Sequence, residues 1–275
     1  MSKATQTTTR PVILLVDDQE DILDFIGADL GTQYQVRTAL DGQAALDILK
    51  SETIHLVVSD VMMPVMDGFQ LCREIKTNFV FSHVPIVLLT AKNTLQAKIQ
   101  GLELGADAYI EKPFSPAHLQ AQIASLLANR AHLKRYFASH PLAAVESMAH
   151  SPADAQFLEK MNAVIQQQLD DPDLDVEKLA ASLYVSRPTL YRKIKVLTDL
   201  TPYELINITR LKQAALLLSE RKYRIFEVAA MVGYRSQNQL GRCFLKQFGM
   251  TPTAYLHADK QEDSTGTPED YGDGR

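Results

Sequence analysis

Cysteine is scarce in this chain of 275 residues: only Cys72 and Cys243 occur, far apart and each inside an amphipathic pattern. Two such residues make no disulfide framework, which fits a reducing, cytoplasmic compartment. No run of eighteen apolar residues occurs, so no membrane-spanning helix is expected. Residues 1–10 are polar and threonine-rich and lack the apolar stretch of a secretory signal. They read as a disordered N-terminus, and a threonine-rich start at Met1 favours a stand-alone chain over the tail of a longer hybrid. An overall positive charge is missing too. The net charge is −5, which taken alone argues against a polyanionic partner.

That average hides a segregation. Residues 1–128 hold nine Lys and Arg against fifteen Asp and Glu, a balance of −6. Residues 175–258 hold thirteen against six, a balance of +7. Residues 259–275 hold two against six. An acidic front and a basic back suggest separate tasks, with the basic part facing a polyanion.

Residues 11–128 alternate short apolar runs with helical patterns. Strands are expected over 12–16, 35–39, 56–59, 86–90 and 108–110, and helices over 21–30, 43–51, 68–78, 94–104 and 116–127. Several of the runs are apolar on both faces, as buried parallel strands are. Five such units in series predict a doubly wound, five-stranded parallel α/β domain of flavodoxin-like type. The last helix has apolar residues at Leu119, Ile123, Leu126, Leu133 and Phe137, with Arg130 in the missing slot. It reads either as a dimerising extension or as a domain helix running into a tether, within a helical extension and linker over 129–155. Residues 156–257 carry no strand signal and read as all-α. Residues 258–275 read as a disordered acidic tail.

In a parallel α/β sheet, chemistry sits at the carboxyl ends of the strands. Three acids fall there: Asp17 and Asp18 after the first strand, and Asp60 after the third. Clustered carboxylates repel unless a hard cation joins them, and Mg²⁺ suits such oxygen ligands. Thr90 and Lys112 stand at two further strand ends. Together they could let Asp60 attack a phosphoryl group and form an acyl phosphate, with the cation and Lys112 offsetting the oxygen charge. Thr90 would bond the new phosphate, and Tyr109 would swing into the space that Thr90 leaves. Each residue has a plainer reading: Asp17 or Asp18 as a helix cap, Lys112 as a solvated charge, Tyr109 as packing. Their coincidence favours function. A phosphatase that uses aspartate would need a second acid two residues after Asp60; Met62 stands there, so no substrate turnover is expected.

These residues lie in four ordered motifs: Leu-Leu-Val-Asp-Asp-Gln-Glu (14–20), Ser-Asp-Val-Met-Met-Pro-Val-Met-Asp-Gly (59–68), Leu-Leu-Thr-Ala-Lys (88–92) and Gly-Ala-Asp-Ala-Tyr-Ile-Glu-Lys-Pro-Phe (105–114). The segment resembles a response-regulator receiver domain. The resemblance implies Asp60 as phosphoacceptor and Mg²⁺ held by Asp18, Asp60 and the Met62 backbone carbonyl, with Asp17 helping through water. It also implies a cis bond before Pro113 and a sensor histidine kinase as partner.

The basic half holds two similar units. Leu-Ala-Ala-Ser-Leu-Tyr-Val-Ser (179–186) and Val-Ala-Ala-Met-Val-Gly-Tyr-Arg-Ser (228–236) are near copies. Each sits between helical patterns and ends on a serine able to cap the next helix, so each reads as helix-turn-helix. Thr201-Pro202-Tyr203-Glu204 is a capping box opening a long helix between them. That helix could hold the units one turn of DNA apart, about 34 Å. The segment over about 156–257 resembles the AraC/XylS-type DNA-binding domain, with its later signature at 233–255. The order of receiver then double helix-turn-helix is similar to the C-terminal portion of hybrid two-component regulators, and the resemblance implies control of transcription with double-stranded DNA as partner and a homodimer as the phosphorylated form. Base reading is expected from Arg187, Pro188, Tyr191 and Arg192 in the first unit, and from Gln237, Asn238, Gln239 and Arg242 in the second. Lys193, Lys195, Arg235 and Lys246 would meet phosphates. Gly241 departs from the family pattern and costs the helix roughly 1 kcal/mol relative to Ala.

Overall fold

A computed structural model of the protein describes residues 10–91, 101, 103–139 and 145–262. The stretch 1–9, Lys92, most of the helix expected over 94–104 and the tail from 263 lie outside the described residues. Two compact units share the chain. One comprises Met1–Tyr136 and Met148–Phe157, the other Phe137–Ser147 and Leu158–Arg275.

The first unit is built on β1 (Val12–Val16), α1 (Glu20–Leu30), β2 (Gln35–Ala39), α2 (Gly42–Ser51), β3 (Leu56–Asp60), α3 (Gly68–Thr77), β4 (Ile86–Thr90), β5 (Ala108–Glu111) and α4 (Pro116–Ser139). The five strands form one parallel sheet in the order β2-β1-β3-β4-β5. Alternate residues face opposite sides, so the apolar strands fill two cores at once. Leu14, Val16, Val57 and Leu88 pack on one side with Leu46 of α2 and Ile75 of α3. Ile13, Leu15, Val58 and Leu89 pack on the other with Ile26 of α1 and Ile123 of α4. This is the doubly wound α/β architecture expected from the pattern.

The helix starts follow local chemistry. Asp41 accepts the Ala44 N–H at 2.8 Å and caps α2. Asp67 and Gln70 form a reciprocal capping box on α3. α1 differs: its cap residue Gln19 makes no side-chain cap bond, and Asp17 Oδ1 accepts the Gln19 N–H at 3.0 Å just ahead of the helix. α4 runs on to Ser139. Along it Leu119 and Ile123 are buried, and Leu133 is exposed. Arg130, the polar slot of the rhythm, pairs with Asp107 at 3.1 Å. Asp107 also pairs with buried Lys76 at 2.6 Å, which joins α3, α4 and the start of β5.

Part of the segment expected as linker packs with this first unit. Buried Asp154 accepts the Ser82 hydroxyl at 2.8 Å, and the Phe79 and Phe157 rings meet edge-to-face at 5.1 Å. Helix α5 (Pro152–Gln167) begins in this segment.

The second unit holds helices joined by turns and no strand among its described residues, and a short 3₁₀ turn stands at Val145–Met148. After α5 come α6 (Val176–Ser182), α7 (Arg187–Thr198), α8 (Pro202–Ser219), α9 (Ile225–Met231), α10 (Gln237–Phe248) and α11 (Pro252–Glu262). Asp175, Ser186, Thr201 and Ser236 cap α6, α7, α8 and α10 through their side chains. Leu190, Ile194 and Leu197 bury the inner face of α7; Leu240 and Phe244 bury that of α10. Helix α11 reaches past residue 258, where the disordered tail is expected to begin.

Candidate phosphoacceptor pocket and nucleic-acid interface

The pocket forms where β1, β3, β4 and β5 end together. Asp60 is the last residue of β3, and Asp17 directly follows β1. Both are buried, whereas Asp18 beside them is exposed. Lys112, just past β5, reaches both acids: its Nζ lies 2.5 Å from Asp60 Oδ1 and 2.9 Å from Asp17 Oδ2. The second Asp60 oxygen accepts the Met62 N–H at 2.6 Å. Burial acts to lower the Lys112 pKa, but the hydrogen bonds it donates to Asp60 and Asp17 outweigh it and hold the ammonium above its usual value. The acids therefore do have a basic partner, against the expectation of a bare acidic cluster.

Gly68 matters to this corner. A Cβ there would sit 2.2 Å from the Asp60 carbonyl oxygen, so a side chain would push α3 away from the end of β3. Thr90 is buried at the end of β4, and its carbonyl accepts the Lys112 N–H at 2.7 Å. Tyr109 packs in the sheet core, and its hydroxyl is buried without a hydrogen-bond partner among the described residues. The Lys112–Pro113 bond is cis. Met62 is largely exposed. Among the described residues no three acids, cysteines or histidines gather closely enough to form a metal cluster. Two carboxylates converging on one ammonium nevertheless form a hard oxygen pair, and that donor set fits Mg²⁺, which keeps several of its waters.

In the second unit most predicted contacts lie on the surface, but not all. Arg192, Tyr191 and Pro188 are exposed on α7. Arg187 is exposed and pairs with Glu177 at 3.0 Å. Lys195 is exposed and bonds the Asp199 carbonyl at 2.6 Å, closing the end of α7. Lys193 is a correction: it is only 3% exposed and offers nothing to a phosphate. It lies three residues after buried Leu190, on the inward face, so helical spacing could have shown this. On α10, Gln237, Asn238, Arg242 and Lys246 are exposed. Arg235, just before its cap, is exposed and pairs with Asp173. Gln239 is half-buried and serves the helix start: its amide oxygen accepts the Arg235 N–H at 3.2 Å.

Two further residues lie along the same face of α10. Gly241 and Leu245 continue the line from Gln237 and Asn238 at helical spacing. Leu245 is 47% exposed, and a Cβ on Gly241 would meet open space. With Ile225 and Arg242 they line an open hollow of about 540 Å³.

Comparison with known proteins agrees with both halves. Residues 13–124 match the response regulator receiver domain family, and residues 179–258 match a helix-turn-helix domain family. A protein named histidine kinase P4 from Formosa agariphila is 37% identical over 246 residues, which is 90% of this chain and 18% of that protein. A probable transcriptional regulator, ycf27, from Cyanophora paradoxa is 47% identical over 116 residues, covering 42% of this chain and 47% of its own length. The chain thus spans less than half the length of either relative. A Francisella receiver domain of solved structure aligns with 43% of this chain and 98% of its own, at 30% identity and a TM-score of 0.41.

Proposed function

From a chain that carries a response-regulator receiver domain followed by an AraC-type helix-turn-helix domain, we propose a phosphorylation-controlled regulator of transcription. The observation that carries this reading is Asp60, buried at a strand end with one oxygen on Lys112 and the other on the Met62 N–H. The donor is a sensor histidine kinase. An Asp60 carboxylate oxygen attacks the phosphorus of a phosphohistidine, the P–N bond breaks, and the histidine nitrogen leaves with the electron pair. Lys112 then faces the phosphoryl oxygens and offsets their charge. Mg²⁺ would be held by Asp17, Asp18, Asp60 and the Met62 carbonyl, and would supply further charge stabilisation. Thr90 hydrogen-bonds the phosphoryl group, and Tyr109 answers the movement of Thr90. The match to a protein named a histidine kinase supports this donor chemistry.

The output is binding to double-stranded DNA. Arg187, Pro188, Tyr191 and Arg192 of the first unit face one groove, and Gln237, Asn238 and Arg242 face the next. Lys195, Arg235 and Lys246 meet phosphates. Phosphorylation favours a homodimer, which raises the effective concentration of a second DNA-binding domain. A cytoplasmic location goes with this reading, and no described helix is long and apolar enough to cross a membrane.

The test is phosphate labelling. Incubated with radiolabelled acetyl phosphate, the wild-type chain is expected to take up acid-stable, base-labile label, and Asp60→Asn to take up none while keeping its circular dichroism. Equal labelling of the variant would overturn the assignment of Asp60.

A further inference from the structure

The two helix-turn-helix turns occupy the same left-handed backbone position but differ in surroundings. In the first, Tyr184 sits at φ +57° and is 88% exposed. In the second, Gly233 stands in its place at φ +75°. A Cβ on Gly233 would lie 2.4 Å from the Leu169 carbonyl oxygen and 2.8 Å from Arg210 Nη2. One turn is open to solvent and the other is docked, so only the second excludes a side chain.

What it docks against is a chain of contacts centred on Arg210 of α8. Lys178 on α6 pairs with the Asp171 carboxylate at 2.9 Å. The carbonyl of the same Asp171 accepts from Arg210 Nη2 at 2.6 Å. The Arg210 guanidinium lies 6.0 Å from the centre of the Tyr234 ring, and the Tyr234 hydroxyl donates to Asn207 Oδ1, one helical turn earlier on α8. Asp173, two residues beyond Asp171, pairs with Arg235. The contacts therefore run without a break from the first helix of one helix-turn-helix to the turn of the other.

Arg210 is an expensive choice for this place. It is half-buried, burial lowers its pKa, and its Nε is buried without a hydrogen-bond partner among the described residues. No carboxylate closes an ion pair with it among the described residues. An apolar side chain would avoid that desolvation, so stability alone does not account for it. A planar guanidinium can bond a carbonyl in its plane and stack on a ring across its face, and that fixes both distance and rotation.

We propose that Arg210 is a positioning residue that fixes the separation of the two reading helices, so that the spacing between two DNA half-sites is read by this joint and not by base contacts. The proposal rests on the DNA-binding reading above. Adding one base pair between half-sites moves the second by roughly 3.4 Å along the axis and turns it by roughly 35°. A joint stiffer than that displacement rejects the altered spacing; a loosened one accepts it.

The experiment uses the full chain. The wild type selects two-half-site duplexes from a random library, and derivatives of the selected duplex carry one base pair added or removed between the halves. Single half-site duplexes serve as a control. The wild type is expected to bind the derivatives about tenfold more weakly, and Arg210→Met to shrink that difference to about twofold while binding single half-sites as before. Should Arg210→Met lose its cooperative melt, Arg210→Lys replaces it, because it keeps the charge but not the planar fork. Full spacing discrimination in the folded variant overturns the proposal, as does an equal loss on single half-sites. A wild type that selects half-sites with no spacing preference also overturns it. A wild type that selects no duplex overturns the DNA-binding reading itself.

Discussion

The two candidate sites are assembled in opposite ways. In the first unit Asp17, Asp60, Thr90 and Lys112 come from four strand ends spread over nearly a hundred residues, and buried contacts hold them together. In the second, each reading surface is one exposed strip on one short helix. A convergent buried pocket depends on the whole sheet, and one altered side chain disturbs its partners. An exposed strip depends on helical period and a cap, and its members act nearly independently. The first should therefore fail all at once and the second by increments.

The largest effect should come from removing divalent cations. EDTA is expected to abolish labelling of Asp60 by acetyl phosphate while the helical half keeps its non-specific DNA affinity. Undiminished labelling would break the comparison by showing that Lys112 alone offsets the charge. Next, Arg192→Ala should weaken specific binding by about 1–3 kcal/mol and relax preference at one base pair. Selection of an unchanged consensus by this variant would remove Arg192 from the strip.

A smaller effect separates two neighbours. Lys195→Ala should lower the dependence of log K on log salt by about one unit, and Lys193→Ala should leave that slope alone but lower the melting temperature. If Lys193 moves the slope instead, its burial is not maintained on DNA. The smallest effect is on pH. Burial, then the nearby Arg130 charge, push the His150 imidazole down to about 4, against 6.5 ordinarily. A group depressed on folding takes up protons more readily when unfolded, so stability should fall as pH drops from about 6.5 towards 4. His150→Gln should flatten the urea-midpoint profile in that window. An unchanged profile would show that His150 does not carry the fall.

Strand ends were legible in the sequence because a buried parallel strand is an unbroken apolar run, and the first polar residue after it marks its end. Asp17 and Thr90 stand at that position, and Asp60 and Lys112 stand one residue further on, after Ser59 and Glu111. The caps at Ser186, Thr201 and Ser236 were legible too, since a cap acts within three residues. Lys193 was misread because a basic residue was taken as exposed in spite of its place beside Leu190. Gln239 was read as facing out, and its half-buried amide also serves the helix start, because an amide suits either place. The length of α4 was only half legible, as Arg130 looks like a solvated break until Asp107 is placed beside it.

Gly233 shows where local reading ends. Its glycine signals a left-handed turn, and the near copy at Tyr184 adopts the same backbone with a large side chain. Nothing nearby in the chain distinguishes the two; the difference is a carbonyl at Leu169 and a guanidinium at Arg210. The same division runs through the whole protein. The amino-acid order is enough to specify element types, helix caps, the acids at strand ends and the segregation of charge, because these follow from period and short-range bonding. The Lys112 bridge, the anchoring of Asp154 on Ser82 and the Arg210 joint arise only on folding, because each pairs groups that many intervening residues separate.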